Sequence, residues 1–111
     1  MRFKEPILAV EYQEKIHKRL HGILLALSGF CWNSFKKEVT ITSLIRFDNP
    51  KSVHHYGRGA DVRSKIFTHQ EKIEIRYYLN TSFPYNKGDY KTCLLEFEDT
   101  DNEHFHIQVK A

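Results

Sequence analysis

An amphipathic segment in the first third of the chain places the strongest constraint on the fold. Between residues 10 and 34, apolar side chains recur mostly at spacings of three and four, which predicts a helix with one apolar stripe: Ile16, Leu20, Ile23, Leu24, Leu27 and Phe30. Such a stripe must be buried against other elements. A chain of 111 residues has room for one modest core, so we predict a single domain over residues 1–111.

Strand patterns follow this helix. Residues 39–47 alternate between apolar and polar side chains, as a half-buried strand does, and residues 48–50 are a strong stop. Residues 60–64 are a candidate short strand, and residues 92–98 and 104–110 are typical of the two strands of a hairpin. These patterns predict an α+β fold in which helices pack on a small, mainly antiparallel sheet.

The segment after residue 67 fits two descriptions. Thr68 and Glu71 have the spacing of a capping box, which favours a helix that ends near residue 82. Residues 73–79 also alternate, so a strand over these residues remains an alternative.

The composition narrows the class of protein. Hydrophobic residues make up 41% and charged residues 28%, as in soluble globular proteins, and two cysteines do not make a disulfide framework. The net charge of +3 permits an anionic partner without demanding nucleic acid. The apolar run at residues 22–32 starts too late for a signal peptide and is too short to span a bilayer. We therefore expect a cytoplasmic monomer with neither a nucleic-acid nor a membrane partner.

Four of the seven histidines lie in two short clusters that indicate metal chemistry. His54 and His55 precede a loop with two glycines, which can fold His54 and Asp61 onto one point. His104 and His106 would project from the same face of a strand, because strand side chains alternate. Two imidazoles and one carboxylate leave one position of a tetrahedral zinc site open for water. The pattern therefore predicts a catalytic zinc site.

Three motifs resemble those of one family of zinc enzymes, and they follow one another in the same order. Residues 43–46 are similar to a Ser-x-x-Arg segment, residues 52–61 fit the pattern Ser-x-His-x-x-Gly-x-x-x-Asp, and residues 104–106 fit a closing His-x-His. The family is that of the zinc D-alanyl-D-alanine carboxypeptidases, L-alanyl-D-glutamate endopeptidases and murein endopeptidases. The Hedgehog signalling domain and the vancomycin-resistance D,D-dipeptidases share its fold. The resemblance therefore implies a Hedgehog-like zinc peptidase fold.

This resemblance assigns the zinc ligands by position. His54 and Asp61 match the first and second ligands, and His106 matches the third. The chain departs from the family pattern at two positions that lie close in sequence to predicted ligands. Gly59 stands where the family often has Ala, and Phe105 stands where the dipeptidase branch usually has Trp.

The resemblance also implies three catalytic residues. Glu103 stands three residues before the last ligand, where the dipeptidase branch has its catalytic glutamate, and Asp101 is a rival for that role. His104 matches a non-ligand histidine that faces the reacting carbonyl. Arg46 matches a residue that holds substrate or the developing oxyanion.

The implied substrate is a peptidoglycan stem peptide, which contains D-amino acids and free carboxylates. A mildly basic protein suits that anionic polymer. Because the sequence has no recognisable export signal or wall-binding module, the implied setting is a phage lysis enzyme or a virion-associated protein. Such an enzyme would act on the cell wall after its release.

Other functions stay open at this stage. A nickase of the His-hydrophobe-His class would use the strand pair His104 and His106 with Tyr77 or Tyr78 as nucleophile. A zinc-binding module of the same fold without peptidase activity is a second alternative. An iron oxygenase with two His and one carboxylate fits less well, because its first His and carboxylate usually lie closer in sequence.

Overall fold

Three helices and five strands make up the part of the chain that the computed structural model describes, residues 1–45 and 50–111. A short 3₁₀ helix, Val53–Tyr56, lies between the second and third strands. In chain order the other elements are β1 (Arg2–Phe3), α1 (Pro6–Glu14), α2 (Lys18–Phe35), β2 (Thr40–Ser43), β3 (Gly59–Arg63), α3 (His69–Ser82), β4 (Cys93–Glu96) and β5 (His104–Gln108).

The strands of this region form one mixed sheet in the order β1-β2-β3-β5-β4. β1 runs parallel to β2, and the other three pairings are antiparallel. The predicted α+β class with a mainly antiparallel sheet is therefore confirmed. The relation to the Hedgehog-like fold stays a prediction.

The sheet has one face packed against helices and one open face. On β5, Phe105 and Ile107 are fully buried in the core, whereas His104 and His106 point to the other face. β3 pairs with β5 so that Asp61 lies opposite His106 on that same open face. The alternation of β5 thus puts core residues and chemically active residues on opposite sides of the sheet.

The core lies between the packed face and the helices. Four residues of the predicted apolar stripe are buried in the core, and Ile16 and Phe30 are partly buried and pack against it. Burial of each large apolar side chain contributes about 1.5–3 kcal/mol to folding. The largest fully buried side chains are Leu20, Leu24, Leu27, Ile41, Leu44, Ile75, Leu79, Phe105 and Ile107.

The single helix predicted over residues 10–34 is wrong, because two helices meet at residues 15–17. His17 ends the continuity: its Nδ1 accepts a hydrogen bond from the Arg19 N–H at 3.1 Å, which makes it an N-cap. The His17 N–H donates to the Gly57 carbonyl at 2.8 Å. The first helix begins at Pro6, whose fixed φ suits a first turn, although no element was predicted there.

The other predicted elements are largely confirmed. Thr68 accepts from the Glu71 N–H at 3.1 Å and Glu71 accepts from the Thr68 N–H at 2.8 Å, so the capping box forms and the strand alternative over residues 73–79 is wrong. The hairpin forms with shorter strands, and the strand predicted over residues 39–47 is described only as Thr40–Ser43. Residues 46–49, which include part of that strand and of the predicted stop, lie outside the described residues.

Within the described ranges, no helix combines the length and the hydrophobicity that crossing a lipid bilayer requires.

Candidate metal centre

Three separate elements bring the predicted zinc ligands together on the open face. His54 lies in the 3₁₀ helix, Asp61 lies in β3, and His106 lies in β5 directly opposite Asp61. Gly57 ends the 3₁₀ helix with φ of 70°, and a side chain there would collide with the Lys15 carbonyl. The glycine that the sequence placed in this loop is therefore required for the path that carries His54 to Asp61.

The potential ligand atoms lie close to one another. His54 Nε2 is 3.1 Å and His106 Nδ1 is 3.2 Å from Asp61 Oδ1, and the three atoms all lie within 4.8 Å of one another. Ligand atoms of a tetrahedral zinc with bonds of about 2.0–2.2 Å lie about 3.3–3.6 Å apart. The described chain therefore contains a His/Asp group that could hold a metal ion after small side-chain movements.

The hydrogen bonds of the two ligand imidazoles also fit a metal. His54 Nδ1 lies 2.7 Å from the Leu44 carbonyl, and His106 Nε2 lies 3.0 Å from Oε1 of Gln108. Because these oxygens only accept, the facing ring nitrogens carry the protons. The other nitrogen of each ring then faces Asp61 Oδ1, where it donates a hydrogen bond when it carries a proton and could bind a metal when it does not. Histidine ligands of metals typically have such an outer acceptor, which fixes the tautomer and the ring orientation.

Burial and hydrogen bonding act in opposite directions on the charge of this group. Asp61 is only 6% exposed, and burial opposes its ionisation, but hydrogen bonds from His106 and His54 hold the pKa of its carboxyl well below its usual range. Burial likewise opposes protonation of His106, yet its hydrogen bonds with Asp61 and Gln108 raise the pKa of its imidazole. A metal ion must therefore compete with a proton for His106.

Sequence reasoning missed Glu96, which stands beside the ligands. It pairs with His104 across β4 and β5, and its Oε1 lies 3.2 Å from His104 Nε2 and 3.9 Å from His106 Nδ1. The predicted strand boundaries would have placed Glu98 opposite His104. The hairpin loop begins two residues earlier, with Phe97 in the left-handed region at φ of 52°, and this shifts the register to Glu96.

His104 lies beside this group of potential ligands. Its Nε2 lies 3.7 Å from Asp61 Oδ1, and its Nδ1 lies 2.8 Å from the Asn102 carbonyl. Together with Asp61 and Glu96, it forms a second set of potential ligand atoms within 4.8 Å of one another.

The Glu103 carboxylate has other partners. Its carboxylate accepts a hydrogen bond from Ser64 Oγ, pairs with Lys72 Nζ at 2.8 Å and accepts from the Asp99 N–H at 3.2 Å. Burial opposes ionisation, but these bonds lower the pKa of Glu103 to about 2. Among the described residues, neither set of potential metal ligands includes Glu103. These contacts favour a structural role and do not support the predicted role of proton acceptor.

The remaining predicted residues are less informative. Asp101 is fully exposed, with its carboxylate 3.7 Å from Lys65 Nζ. Arg46 lies outside the described residues. Tyr77 and Tyr78 lie on α3, which packs on the core face, whereas the His-x-His pair lies on the open face. That separation does not support the nickase alternative.

The chain matches no protein-family model, and it has no significant match among curated proteins.

Proposed function

We propose that this protein is a zinc-dependent hydrolase that cleaves peptide bonds in peptidoglycan stem peptides. The observation that carries the proposal is the buried group of His54, Asp61 and His106, whose inner nitrogens face one carboxylate oxygen on the open face of the sheet. Two imidazoles and one carboxylate are a donor set that zinc accepts, with one position left for water. His54, Asp61 and His106 would hold the metal.

When bound, zinc would polarise the substrate carbonyl and lower the pKa of a water. Hydrolysis of a peptide bond adds water to the carbonyl carbon and breaks the carbon–nitrogen bond, while one proton passes from the water to the leaving nitrogen. His104 and Glu96 stand beside the ligands on the open face, with His104 Nε2 3.2 Å from Glu96 Oε1. In a site with one metal, this pair is placed to carry that proton. Arg46 keeps its predicted role of holding substrate.

A cleft of about 270 Å³ next to the ligands supports an anionic peptide as substrate. Its lining includes three cationic and three acidic side chains: Lys4, Arg63, Lys65, Asp61, Asp101 and Glu103. Lys72 neutralises Glu103, and a metal would neutralise Asp61. The cleft is then net cationic, which favours the free carboxylates of a stem peptide. The motif resemblance supports the peptidoglycan origin and the phage or virion setting.

Digestion of defined stem peptides tests the proposal. The purified chain is incubated with muropeptides of three to five residues, with zinc or with a chelator, and the products are identified by mass spectrometry. We expect cleavage with zinc, none with chelator and none with His54→Ala. His69→Ala, which changes an exposed histidine on α3, is the matched control and should cleave normally. Zinc binding without any cleavage would contradict the proposal and favour the non-catalytic zinc module.

A further inference from the structure

We propose that the site holds two divalent cations that share Asp61. The first cation is held by His54 and His106, and the second by His104 and Glu96. In this arrangement His104 and Glu96 are metal ligands and not the proton carriers of a one-metal site. The inference rests on the metal centre of the proposed function and not on its substrate.

The spacing of the second ligand set supports this inference. His104 Nε2 lies 3.2 Å from Glu96 Oε1 and 3.7 Å from Asp61 Oδ1. These distances bracket the separation of about 3.4 Å between ligands of a tetrahedral zinc. The corresponding distances in the first set are 3.1 and 3.2 Å, and the ligand atoms of each set all lie within 4.8 Å of one another.

The orientation of His104 supports it independently. Its Nδ1 lies 2.8 Å from the Asn102 carbonyl, so Nδ1 carries the proton and donates. Its other ring nitrogen, Nε2, therefore faces the carboxylates of Glu96 and Asp61, which is the side on which a cation would bind. His54 and His106 have the same design, with an outer acceptor and an inner nitrogen on Asp61.

The number of potential ligand side chains also supports two cations. Among the described residues, five such side chains converge on this part of the open face: His54, Asp61, Glu96, His104 and His106. A catalytic zinc takes three protein ligands and a water, so one ion leaves two of these donors unused. Two ions that share Asp61 use all five, with three protein ligands each. Paired cations in two-metal hydrolases lie about 3.5–4 Å apart and clamp the attacking and leaving groups.

Metal counting on the full chain tests the inference. The protein is stripped with a chelator, equilibrated with Zn²⁺ and analysed for metal content, and ¹¹³Cd NMR of the cadmium form provides a second readout. We expect two equivalents and two resonances. His104→Ala and Glu96→Gln should each retain one equivalent and one resonance. Their matched controls, His69→Ala and Glu98→Gln, change exposed residues and should retain two.

Each other result has a defined meaning. One equivalent in the unmodified chain, unchanged by His104→Ala, would overturn the two-cation site and leave the proposed hydrolase intact. No bound metal would overturn both. A second equivalent that disappears with His69→Ala would be a surface site and would also overturn the inference. Circular dichroism melting of every variant ensures that a lost equivalent does not reflect unfolding.

Discussion

At the scale of single residues, the hydrogen-bond acceptor on the outer nitrogen of a histidine decides which ring nitrogen can bind a metal. Gln108 is one such residue: its Oε1 accepts from His106 Nε2, while its Nε2 donates to a backbone carbonyl at 2.9 Å. That second bond fixes the amide, so the acceptor and not the donor faces His106. The ring of His106 is therefore held in the tautomer that offers Nδ1 to a metal.

We predict that Gln108→Ala weakens zinc binding by about 10- to 100-fold, the usual cost of removing such an outer partner. Isothermal titration with Zn²⁺ measures the change. Gln70→Ala, an exposed glutamine on α3, is the control and should bind zinc normally. Equal affinities for the two variants would mean that Gln108 does not orient His106.

Glu103 gives the opposite prediction, since its contacts are structural. Glu103→Gln removes the charge that faces Lys72, so we expect the free energy of unfolding at pH 7 to fall by about 1–3 kcal/mol. Zinc content and cleavage should be retained. Because the folded pKa of about 2 lies below the ordinary value of about 4.3, the stabilisation by Glu103 is present above pH 4.3 and is lost as the pH falls through 2.

Urea denaturation between pH 2 and pH 7 checks this prediction. The acid-induced loss of stability should be smaller in Glu103→Gln than in Glu98→Gln, whose carboxylate is exposed. If Glu103→Gln instead binds zinc, keeps its stability and loses cleavage, the sequence-based role of Glu103 as proton acceptor is correct.

At the scale of elements, the sequence correctly predicted features that depend on hydrogen bonds between nearby residues. The Thr68–Glu71 capping box identified the start of α3, because both hydrogen bonds join residues three positions apart. At the break before α2, the His17 N–H also donates to the Gly57 carbonyl, forty residues away, a contact that periodicity cannot reveal. Glu96 was missed for a related reason, since two residues of hairpin loop decide which glutamate faces His104.

Gly57 connects the packing of its turn against Lys15 with the position of the proposed metal ligand His54. Its φ of 70° and the nearby Lys15 carbonyl leave no room for a side chain, so we predict that Gly57→Ala lowers the free energy of unfolding by about 1–3 kcal/mol. Zinc affinity should fall as well, because the turn that carries His54 must move. Gly29→Ala is the matched control: it lies in α2 with open space around it and should stabilise by up to about 1 kcal/mol. Chemical denaturation of both variants measures whether each substitution lowers or raises the free energy of unfolding.

At the scale of the whole molecule, the proposed centre joins segments that are far apart in sequence. The ligands span residues 54–106 and come from a 3₁₀ helix and two strands. Motif order predicted these three residues as ligands, and the alternation of β5 correctly placed His104 and His106 on one face of the sheet. The sequence could not show that Ser64 and Lys72 bind the Glu103 carboxylate, because they lie 39 and 31 residues away in the sequence. An unfolded chain has no such site, so a bound metal must stabilise the folded state.

The last prediction follows from that linkage. Free zinc at about 100 times its dissociation constant should stabilise the folded chain by about 2.7 kcal/mol, which raises the melting temperature by about 10 °C.

The pH dependence of this shift follows from His106, whose pKa is raised in the fold. Without metal, its pairing with Asp61 stabilises the fold below pH 6.5, and this stabilisation is lost as the pH rises through the raised pKa. Zinc requires neutral His106, so the zinc-induced shift should grow from pH 6 to pH 8. Scanning calorimetry with zinc or chelator measures both trends, and His106→Ala should lose them together. A zinc-induced shift that is the same at both pH values would mean that His106 is not a ligand.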